Sequence, residues 1–247
     1  MALAHINFFS IALSKMVAVN VIIPEAFSGK FQTLYLLHGL TDDYTVWQRR
    51  SRIEWYVKDL PMMVVMPDGG RGFYTNNEEG PAWATFIAEE LPRFIERNLP
   101  AREDRAGRFI SGLSMGGYGA MRIGLGYADR FASVVSHSGS LQVWNFSPEI
   151  TSLSPEEHRR IFGSHAKGTQ HDLVHLAARA KAAGNLPRLK FDCGVDDFLL
   201  SSSRAFQASL LKLNIDFVYN EFPGDHTWDY WDVHVREGIA FHLNHQT

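Results

Sequence analysis

The chain has 247 residues, of which 45% are hydrophobic and 21% charged, the composition of a folded globular protein rather than a disordered or fibrous one. Its formal net charge is −3 and it contains no block of lysine or arginine, so we expect no nucleic-acid partner. Cys193 is the single cysteine and cannot form an internal disulfide. Polar residues interrupt the apolar pattern of residues 1–23, and no apolar run reaches about 18 residues. We therefore expect a soluble, cytoplasmic protein without a signal peptide or a membrane span.

Short apolar segments alternate with segments of helical periodicity along the chain. The expected strands are 17–23, 33–37, 62–66, 108–110, 133–136, 189–193 and 216–221, and residues 6–23 as a whole are expected to form two strands joined near Ser14 and Lys15. The expected helices are 47–60, 82–98 with a kink at Pro92, 115–128, 198–213 and 228–244. This alternation predicts an α/β fold with a mainly parallel sheet of about eight strands and helices on both faces.

The segment from about 143 to 187 breaks this alternation. It is long and polar, with helical patterns at 154–162 and 171–183 and no obvious strand. Ser154 and Glu157 have the spacing of a capping box. We interpret the segment as a helical insertion, within a single domain spanning residues 1–247, that covers the carboxyl edge of the sheet where α/β folds bind ligands. A long loop without function is the alternative interpretation.

The candidate nucleophile is Ser114. It is the centre of Gly112-Leu113-Ser114-Met115-Gly116, which lies between a predicted strand and a predicted helix. In a G-x-S-x-G turn the two glycines let the chain turn sharply, and the serine is presented at the top of the sheet. A glycine-rich turn with an incidental serine is the alternative interpretation, and the flanking elements and the candidate partners of Ser114 disfavour it.

A serine hydroxyl needs a base that accepts its proton and a carboxylate that orients the base. In this kind of fold the acid and then the histidine follow the serine along the chain. Asp196 and Asp197 follow the predicted strand 189–193, and we favour Asp197 as the acid and interpret Asp196 as a helix cap. His226, in the loop before the last helix, is the candidate base.

The other histidines fit this role less well. His137 precedes the acid, and we interpret it as structural. Three histidines lie within or beyond the last helix, where side-chain contacts or solvent exposure are expected: His234, His242 and His245. His171 and His175 are four residues apart, like the zinc ligands of a metalloprotease helix. Because no third ligand is evident, we expect a solvated helix face there, and neither a metal nor a cofactor.

The oxyanion formed during acyl transfer needs two hydrogen-bond donors, which are normally backbone N–H groups. Met115, directly after the nucleophile, is expected to supply one. The other is expected from Leu40, because an apolar strand leads into His38-Gly39-Leu40 and Gly39 lets the backbone approach closely. His38 is expected to shape this turn. Four aromatic residues lie on loops near the predicted site and are candidates for substrate binding, with core packing as the alternative: Trp47, Tyr74, Trp144 and Trp228.

Several motifs in register give nearly the whole chain a family resemblance. They are residues 6–10 and 19–24, LHGLTDD at 37–43 with Trp47, MPDGGR at 66–71, GLSMGG at 112–117, CGVDDFL at 193–199 and GDHTW at 224–228. The chain resembles the esterase D-type family of α/β-hydrolases, and most closely the bacterial tributyrin esterases. The resemblance implies an α/β-hydrolase fold, a triad of Ser114, Asp197 and His226, and Leu40 and Met115 as oxyanion donors.

We therefore expect a serine carboxylesterase that forms a covalent acyl-enzyme on a small-molecule ester. Short acyl chains are favoured because a chain of 247 residues with a modest insertion has little material for a long lipid tunnel. The same group includes S-formylglutathione hydrolases and feruloyl or acetylxylan esterases, so a thioesterase or an esterase acting on carbohydrate esters is the alternative. The sequence leaves a homo-oligomer open.

Overall fold

The computed structural model of the protein describes residues 1–143 and 152–243. At its centre lies an eight-stranded sheet with the spatial order β1-β2-β4-β3-β5-β6-β7-β8. The strands are β1 Ala2–Ser10, β2 Lys15–Ile23, β3 Gln32–Leu37, β4 Met62–Pro67, β5 Arg108–Leu113, β6 Ser133–His137, β7 Arg188–Gly194 and β8 Val218–Phe222. The predicted α/β architecture is confirmed.

The sheet is parallel except at one edge. Strands β1 and β2 form the predicted antiparallel hairpin, with Ser10 opposite Lys15, and β2 also pairs antiparallel with β4. The pairs from β4 through β3, β5, β6 and β7 to β8 are all parallel. Every residue of β4 and β5 is buried, as expected for strands covered by helices on both faces. Their carboxyl ends lie at one edge, which is where the candidate site forms.

The helices cover the sheet in two layers. They are α1 Val46–Arg50, α2 Ile53–Val57, α3 Trp83–Thr85, α4 Leu91–Asn98, α5 Met115–Gly126, α6 Pro155–Phe162, α7 Leu173–Ala182, α8 Leu200–Lys212 and α9 Trp228–Leu243. Helices α1, α2 and α9 pack on one face of the sheet, and the others share the larger core on the opposite face. No helix in the described ranges is long and apolar enough to cross a membrane.

The prediction of one helix over 47–60 is wrong, because the chain forms α1 and α2 with a break at Ser51. The backbone of Ser51 is extended, and both its N–H and its hydroxyl donate to the carbonyl oxygen of Trp47. The hydroxyl oxygen then accepts the N–H of Ile53. A serine side chain that bonds to nearby backbone in this way competes with the helical ladder, which ends α1 here.

The predicted helix over 82–98 is divided by a change of helical type rather than by a simple kink. A π-helical turn, Phe86–Glu90, joins α3 to α4. Pro92 follows this turn and has no N–H to donate to a carbonyl one turn earlier. The irregular hydrogen bonding therefore falls in the turn that precedes the proline.

The segment between β6 and β7 contributes α6 and α7. The Ser154 hydroxyl oxygen accepts the N–H of Glu157 at 3.1 Å, which caps α6 as its spacing predicted. The ring of Phe162, at the end of α6, packs edge-on against Phe73 and Tyr118, and α7 packs against α5. These helices extend the helical layer on the larger core. Trp144 and His245 lie outside the described residues.

Candidate active site

Ser114 lies in a sharp turn between β5 and α5, with backbone angles φ 53° and ψ −116° that non-glycine residues rarely adopt. The glycines on either side are required by close backbone contacts. A Cβ atom on Gly112 would lie 2.3 Å from the carbonyl oxygen of Gly116, and one on Gly116 would lie 2.6 Å from the carbonyl oxygens of Leu37 and His38. The turn therefore exposes the hydroxyl of Ser114 at the carboxyl edge of the sheet.

Two hydrogen bonds of equal length connect Ser114 with His226 and Asp197. The Ser114 Oγ atom lies 2.9 Å from His226 Nε2, and His226 Nδ1 lies 2.9 Å from Asp197 Oδ2. When the Nδ1–H group donates to the carboxylate, Nε2 is free to accept the serine proton. The three residues follow β5, β8 and β7 respectively, so the sheet brings them together at its carboxyl edge.

The Asp197 carboxylate is buried and is held from two sides. Its second oxygen accepts the N–H of Leu199 at 2.8 Å. Burial opposes ionisation of Asp197, but the hydrogen bond from His226 and its charge hold the pKa of Asp197 below the ordinary value. The group is therefore a carboxylate at neutral pH. Asp196 is exposed, and the role of N–H acceptor before α8, expected of Asp196, falls to Asp197.

The turn after β3 runs beside the nucleophile. A Cβ atom on Gly39 would lie 3.9 Å from the Cβ of Ser114, so the Leu40 backbone is close to the site. His38 Nδ1–H donates to the carbonyl oxygen of Gly39 at 2.7 Å, and its Nε2 accepts the N–H of Gly69 at 2.9 Å. The expectation that His38 shapes this turn thus agrees with its contacts.

Met115 begins α5, so its N–H belongs to the first turn of that helix, where backbone donors have no partner within the helix. The positive end of the helix dipole also lies there. The N-terminus of α5 can therefore stabilise a negative charge that develops next to Ser114.

A cavity of about 630 Å³ opens over Ser114 and His226. Its aromatic lining residues are Phe73, Phe198, Trp228 and Trp231, and its charged ones are Asp42, Arg50 and Asp229. Burial raises the pKa of Asp42 above its ordinary value. The cavity has the size of a small-molecule site, with apolar walls and a few polar groups.

Of the aromatic residues singled out from the sequence, Trp228 lines this cavity. Trp47 and Tyr74 are buried behind it. The Trp47 indole N–H donates to the carbonyl oxygen of Leu37 at 3.0 Å, and the Tyr74 hydroxyl bonds to both the N–H and the carbonyl of His38 at 3.0 Å. Both side chains thus support the turn after β3, which favours the packing interpretation.

Sequence reasoning missed Phe198. Its ring is 52% exposed, lines the cavity and lies 4.5 Å from the imidazole of His226 between ring centroids. The signal available in the sequence was a large apolar residue placed directly after the favoured acid; the sequence predicted a helix from residue 198, whereas α8 begins at Leu200 and leaves Phe198 in the preceding turn. A side chain in that place is within reach of a substrate held at the histidine.

Three other histidines considered in the sequence analysis have structural surroundings: His137, His234 and His242. The His137 side chain pairs with Asp192 at 2.9 Å in the protein interior. His234 stacks on the ring of Phe222. His242 is fully buried.

The expectation of a solvated helix face carrying His171 and His175 is wrong for His171. Helix α7 begins only after Asp172, because the Asp172 carboxylate accepts the N–H groups of Val174 and His175 and caps the helix. His171 precedes the cap and is buried, with its ring nitrogens bonded to Thr75 and Glu78. Within residues 1–143 and 152–243, no three His, Cys, Asp or Glu side chains gather to hold a metal ion.

The sheet topology, the strained serine turn and the hydrogen-bonded Ser-His-Asp arrangement define an α/β-hydrolase. Comparison with known proteins agrees. The model of a family described as putative esterase matches residues 10–242, and the chain belongs to this esterase family. The protein is a carboxylic ester hydrolase.

Individual relatives resemble the chain over nearly its full length. An acetyl esterase of Caldicellulosiruptor saccharolyticus is 32% identical, over 98% of both chains. The substrate-bound fluorophosphonate-binding serine hydrolase FphF of Staphylococcus aureus is 29% identical, with a TM-score of 0.90 over 99% of both chains. The S-formylglutathione hydrolase FrmB of the same organism is also 29% identical, with a TM-score of 0.86 over 99% of this chain and 100% of that one.

Proposed function

We propose that the protein is a serine carboxylesterase in which Ser114, His226 and Asp197 are the catalytic triad. The observation that carries this proposal is the pair of 2.9 Å hydrogen bonds that connects the three side chains at the floor of the cavity. The strained turn that presents Ser114 supports it.

In this mechanism His226 accepts the Ser114 proton while the serine oxygen attacks the ester carbonyl carbon. The N–H groups of Leu40 and Met115 stabilise the resulting oxyanion. The tetrahedral intermediate then expels the alcohol, which takes the proton from His226, and the acyl group stays on Ser114. Water, deprotonated by His226, attacks the acyl carbon, the bond between that carbon and the Ser114 oxygen breaks, and His226 returns the proton to Ser114 as the acid leaves. The Asp197 carboxylate stabilises the imidazolium that forms in each half-reaction. Each of these steps uses only water and groups of this chain, so we expect no cofactor.

We assign short-chain acyl esters as the substrate class. The cavity of about 630 Å³ suits a small ester, and an acetyl esterase is among the relatives that match the whole chain. The resemblance to tributyrin esterases adds butyryl esters to the expected substrates. We also propose a cytoplasmic location, which fits a chain whose single cysteine, Cys193, is a free and buried thiol.

S-formylglutathione is the second candidate substrate, favoured by the similarity to the staphylococcal S-formylglutathione hydrolase. A glutathione leaving group carries two carboxylates, and Arg50 places a positive charge in the described lining of the cavity. The ligand also carries one ammonium group and is net negative, and the described lining has two aspartates, Asp42 and Asp229, against this one arginine. The charges of the lining therefore favour a neutral ester over the anionic thioester.

The test begins with Ser114→Ala, which should lower kcat by about a million-fold if the triad acts as a unit, and should abolish labelling by a fluorophosphonate. Ester hydrolysis near the wild-type rate by this variant would overturn the proposal. Acetyl, butyryl, octanoyl, feruloyl and S-formylglutathione substrates, compared by kcat/KM, then rank the acyl and leaving groups.

The Arg50→Ala variant distinguishes further between an ester and a thioester substrate. If the thioester is the substrate, this variant should raise KM for S-formylglutathione and leave KM for an acetyl ester unchanged. Arg49→Ala is the matched control, because Arg49 is exposed on the same helix and pairs with Asp43 at 3.7 Å. Equal effects of both variants would exclude a specific role of Arg50.

A further inference from the structure

A second histidine-aspartate pair lies behind the triad, and the mechanism above does not use it. His137 Nδ1 lies 2.9 Å from Asp192 Oδ2, and both side chains are fully buried. The Tyr230 hydroxyl donates to the other carboxylate oxygen, Asp192 Oδ1, at 3.0 Å. We refer to His137, Asp192 and Tyr230 as the buried cluster.

The buried cluster is connected to the segment that carries the nucleophile. His137 ends β6, and its carbonyl oxygen accepts the N–H of Ser114 at 2.9 Å. His137 is also opposite Leu113, the last residue of β5, in the parallel register. A shift of the His137 backbone therefore moves the turn that presents the Ser114 hydroxyl.

The cluster is also connected to the acid segment. Asp192 lies opposite His137 in β7, shortly before the loop that contains Asp197. The carbonyl oxygen of Asp192 accepts the N–H of Ser138 at 2.8 Å, so backbone and side-chain bonds join β6 and β7 at the same level.

The third connection leads to the base. Tyr230 lies in the first turn of α9, shortly after His226, and its ring packs beneath Gly224. A Cβ atom on Gly224 would lie 2.9 Å from the Tyr230 ring. The carbonyl oxygen of Gly224 accepts the N–H of Asp196 at 3.0 Å, which ties the loop of the base to the loop of the acid. Tyr230 thus supports the loop that carries His226.

Burying a carboxylate is costly, and apolar residues of similar volume would stabilise a protein interior at least as well. The cluster is nevertheless built so that Asp192 receives two donors. Burial, together with the Asp192 charge, raises the pKa of Tyr230 far above its ordinary value, so the hydroxyl stays a donor. Gly238 lets α9 pass close over the imidazole, since a Cβ atom there would lie 3.1 Å from His137 Nε2. These contacts fix the orientations of the His137 and Tyr230 side chains as well as their distances from Asp192.

We propose that the buried cluster is a positioning unit, in which Asp192 holds His137 and Tyr230, and through them the loops of Ser114 and His226, in the relative placement that the triad requires. None of the three side chains needs to touch the substrate. They are positioning residues, and the inference rests on the proposed function.

Two variants test it, and a matched control accompanies them. Tyr230→Phe removes one hydroxyl and keeps the ring against Gly224, and Asp192→Asn removes the charge that accepts both donors. Ser133→Ala is the control, because it also removes one buried hydroxyl, which lies 2.6 Å from His242 Nδ1 at the opposite end of β6. Each protein is assayed with an acetyl ester, with active sites counted by fluorophosphonate titration.

We expect Tyr230→Phe to lower kcat per active site about ten-fold and Asp192→Asn about a hundred-fold, with KM within two-fold of wild type, because a misplacement of about 1 Å can cost a hundred-fold in rate. The acidic midpoint of the kcat/KM profile should move to lower pH in both variants, since a loosened Asp197 contact stabilises the imidazolium less. Ser133→Ala should lower the melting temperature and leave kcat and the pH profile unchanged.

The proposal is overturned if folded Tyr230→Phe and Asp192→Asn proteins keep kcat within two-fold of wild type. It is equally overturned if their loss matches the unfolded fraction with an unchanged pH profile, or if Tyr230→Phe is too unstable to assay, because the cluster would then act on folding alone. Ser114→Ala in the same assay separates the two proposals. An active Ser114→Ala protein refutes the proposed function, whereas an inactive one beside a fully active Tyr230→Phe protein refutes only the positioning role.

Discussion

His226 and His242 each lie between two hydrogen-bonding side chains, yet their surroundings give them opposite chemistry. His226 bonds to Ser114 and Asp197 at 2.9 Å and lines the cavity. His242 bonds to Ser111 at 2.7 Å and to Ser133 at 2.6 Å, and its ring stacks on Phe109 in the core.

His226 and His242 differ in their hydrogen-bond partners and in their access to solvent. Burial lowers the pKa of His242 far below its ordinary value, and the positive charge of Arg188 lowers it further. A neutral imidazole between two hydroxyls is stable there, and a protonated one is not. His226 instead faces a carboxylate that stabilises the imidazolium. Two hydrogen bonds alone therefore do not make a histidine a catalytic base. The histidine also needs a carboxylate partner and access to the cavity.

Removing the charge of Asp197 should abolish most of the chemical difference between His226 and His242. Asp197→Asn should lower kcat about ten-thousand-fold, because an amide neither stabilises the imidazolium nor enforces the required tautomer. The measurement is steady-state hydrolysis of an acetyl ester. Asp196→Asn, one residue away and exposed, is the control and should stay within two-fold of wild type. Similar losses in both variants would contradict the assignment of the acid.

Removing His242 should affect folding rather than chemistry. His242→Ala leaves a cavity and two buried hydroxyls without a partner, which we expect to lower the free energy of unfolding by about 3 kcal/mol. Urea denaturation measures this, and kcat per folded molecule should not change. His165→Ala, at an exposed histidine, should alter stability by less than about 0.5 kcal/mol. A His242→Ala protein as stable as wild type would contradict the structural role.

The buried histidine also makes stability depend on pH. The pKa of His242 is depressed in the folded state, so between that value and about 6.5 the unfolded chain binds a proton that the folded chain does not. Stability should therefore fall as pH drops below about 6.5, by up to about 1.4 kcal/mol per pH unit from this residue. The difference between wild type and His242→Ala, measured from pH 7.5 to 5, isolates this contribution. A difference that does not vary with pH would refute it.

The smallest expected effect concerns access to His226. Phe198→Ala removes an exposed ring from the cavity wall, and we expect KM for short esters to rise about five-fold through lost apolar contact, with kcat within about three-fold. Leu211→Ala, at a similarly exposed apolar residue on α8, is the control and should leave KM unchanged. An unchanged KM in Phe198→Ala would exclude this residue from substrate binding.

The sequence predicted much of the fold because its signals were local. The β1-β2 hairpin and the strands of the parallel sheet followed from apolar runs of strand length, and the serine turn followed from two glycines at fixed spacing. The break at Ser51 was not predicted, because helical periodicity continues through a serine that bonds to the backbone instead. The cap at Asp172 was missed for the same reason, since its carboxylate takes the donors that begin α7.

The candidate nucleophile and base were predictable because their order along the chain and their places after strands are constrained by the topology, whereas the same constraints left both Asp196 and Asp197 possible as the acid. The surroundings of the triad were not predictable. Trp47 points into the core, where it packs among apolar residues and its indole N–H donates to Leu37, and no local pattern encodes that orientation. The sequence predicted only that Asp192 lies within a strand. Its two hydrogen-bond donors come from β6 and α9, which are distant in sequence, so no local pattern indicated them.

The contacts of Gly112 and Gly116 have a consequence for how this scaffold can change. Neighbouring main-chain atoms occupy the space that side chains at Gly112 and Gly116 would need. Packing therefore requires glycine at both positions whatever reaction is catalysed. The hydroxyl oxygen of Ser114 is not part of these contacts. We therefore expect a Ser114→Cys variant to keep the backbone of this turn, because the contacts that require the two glycines do not involve the reactive atom.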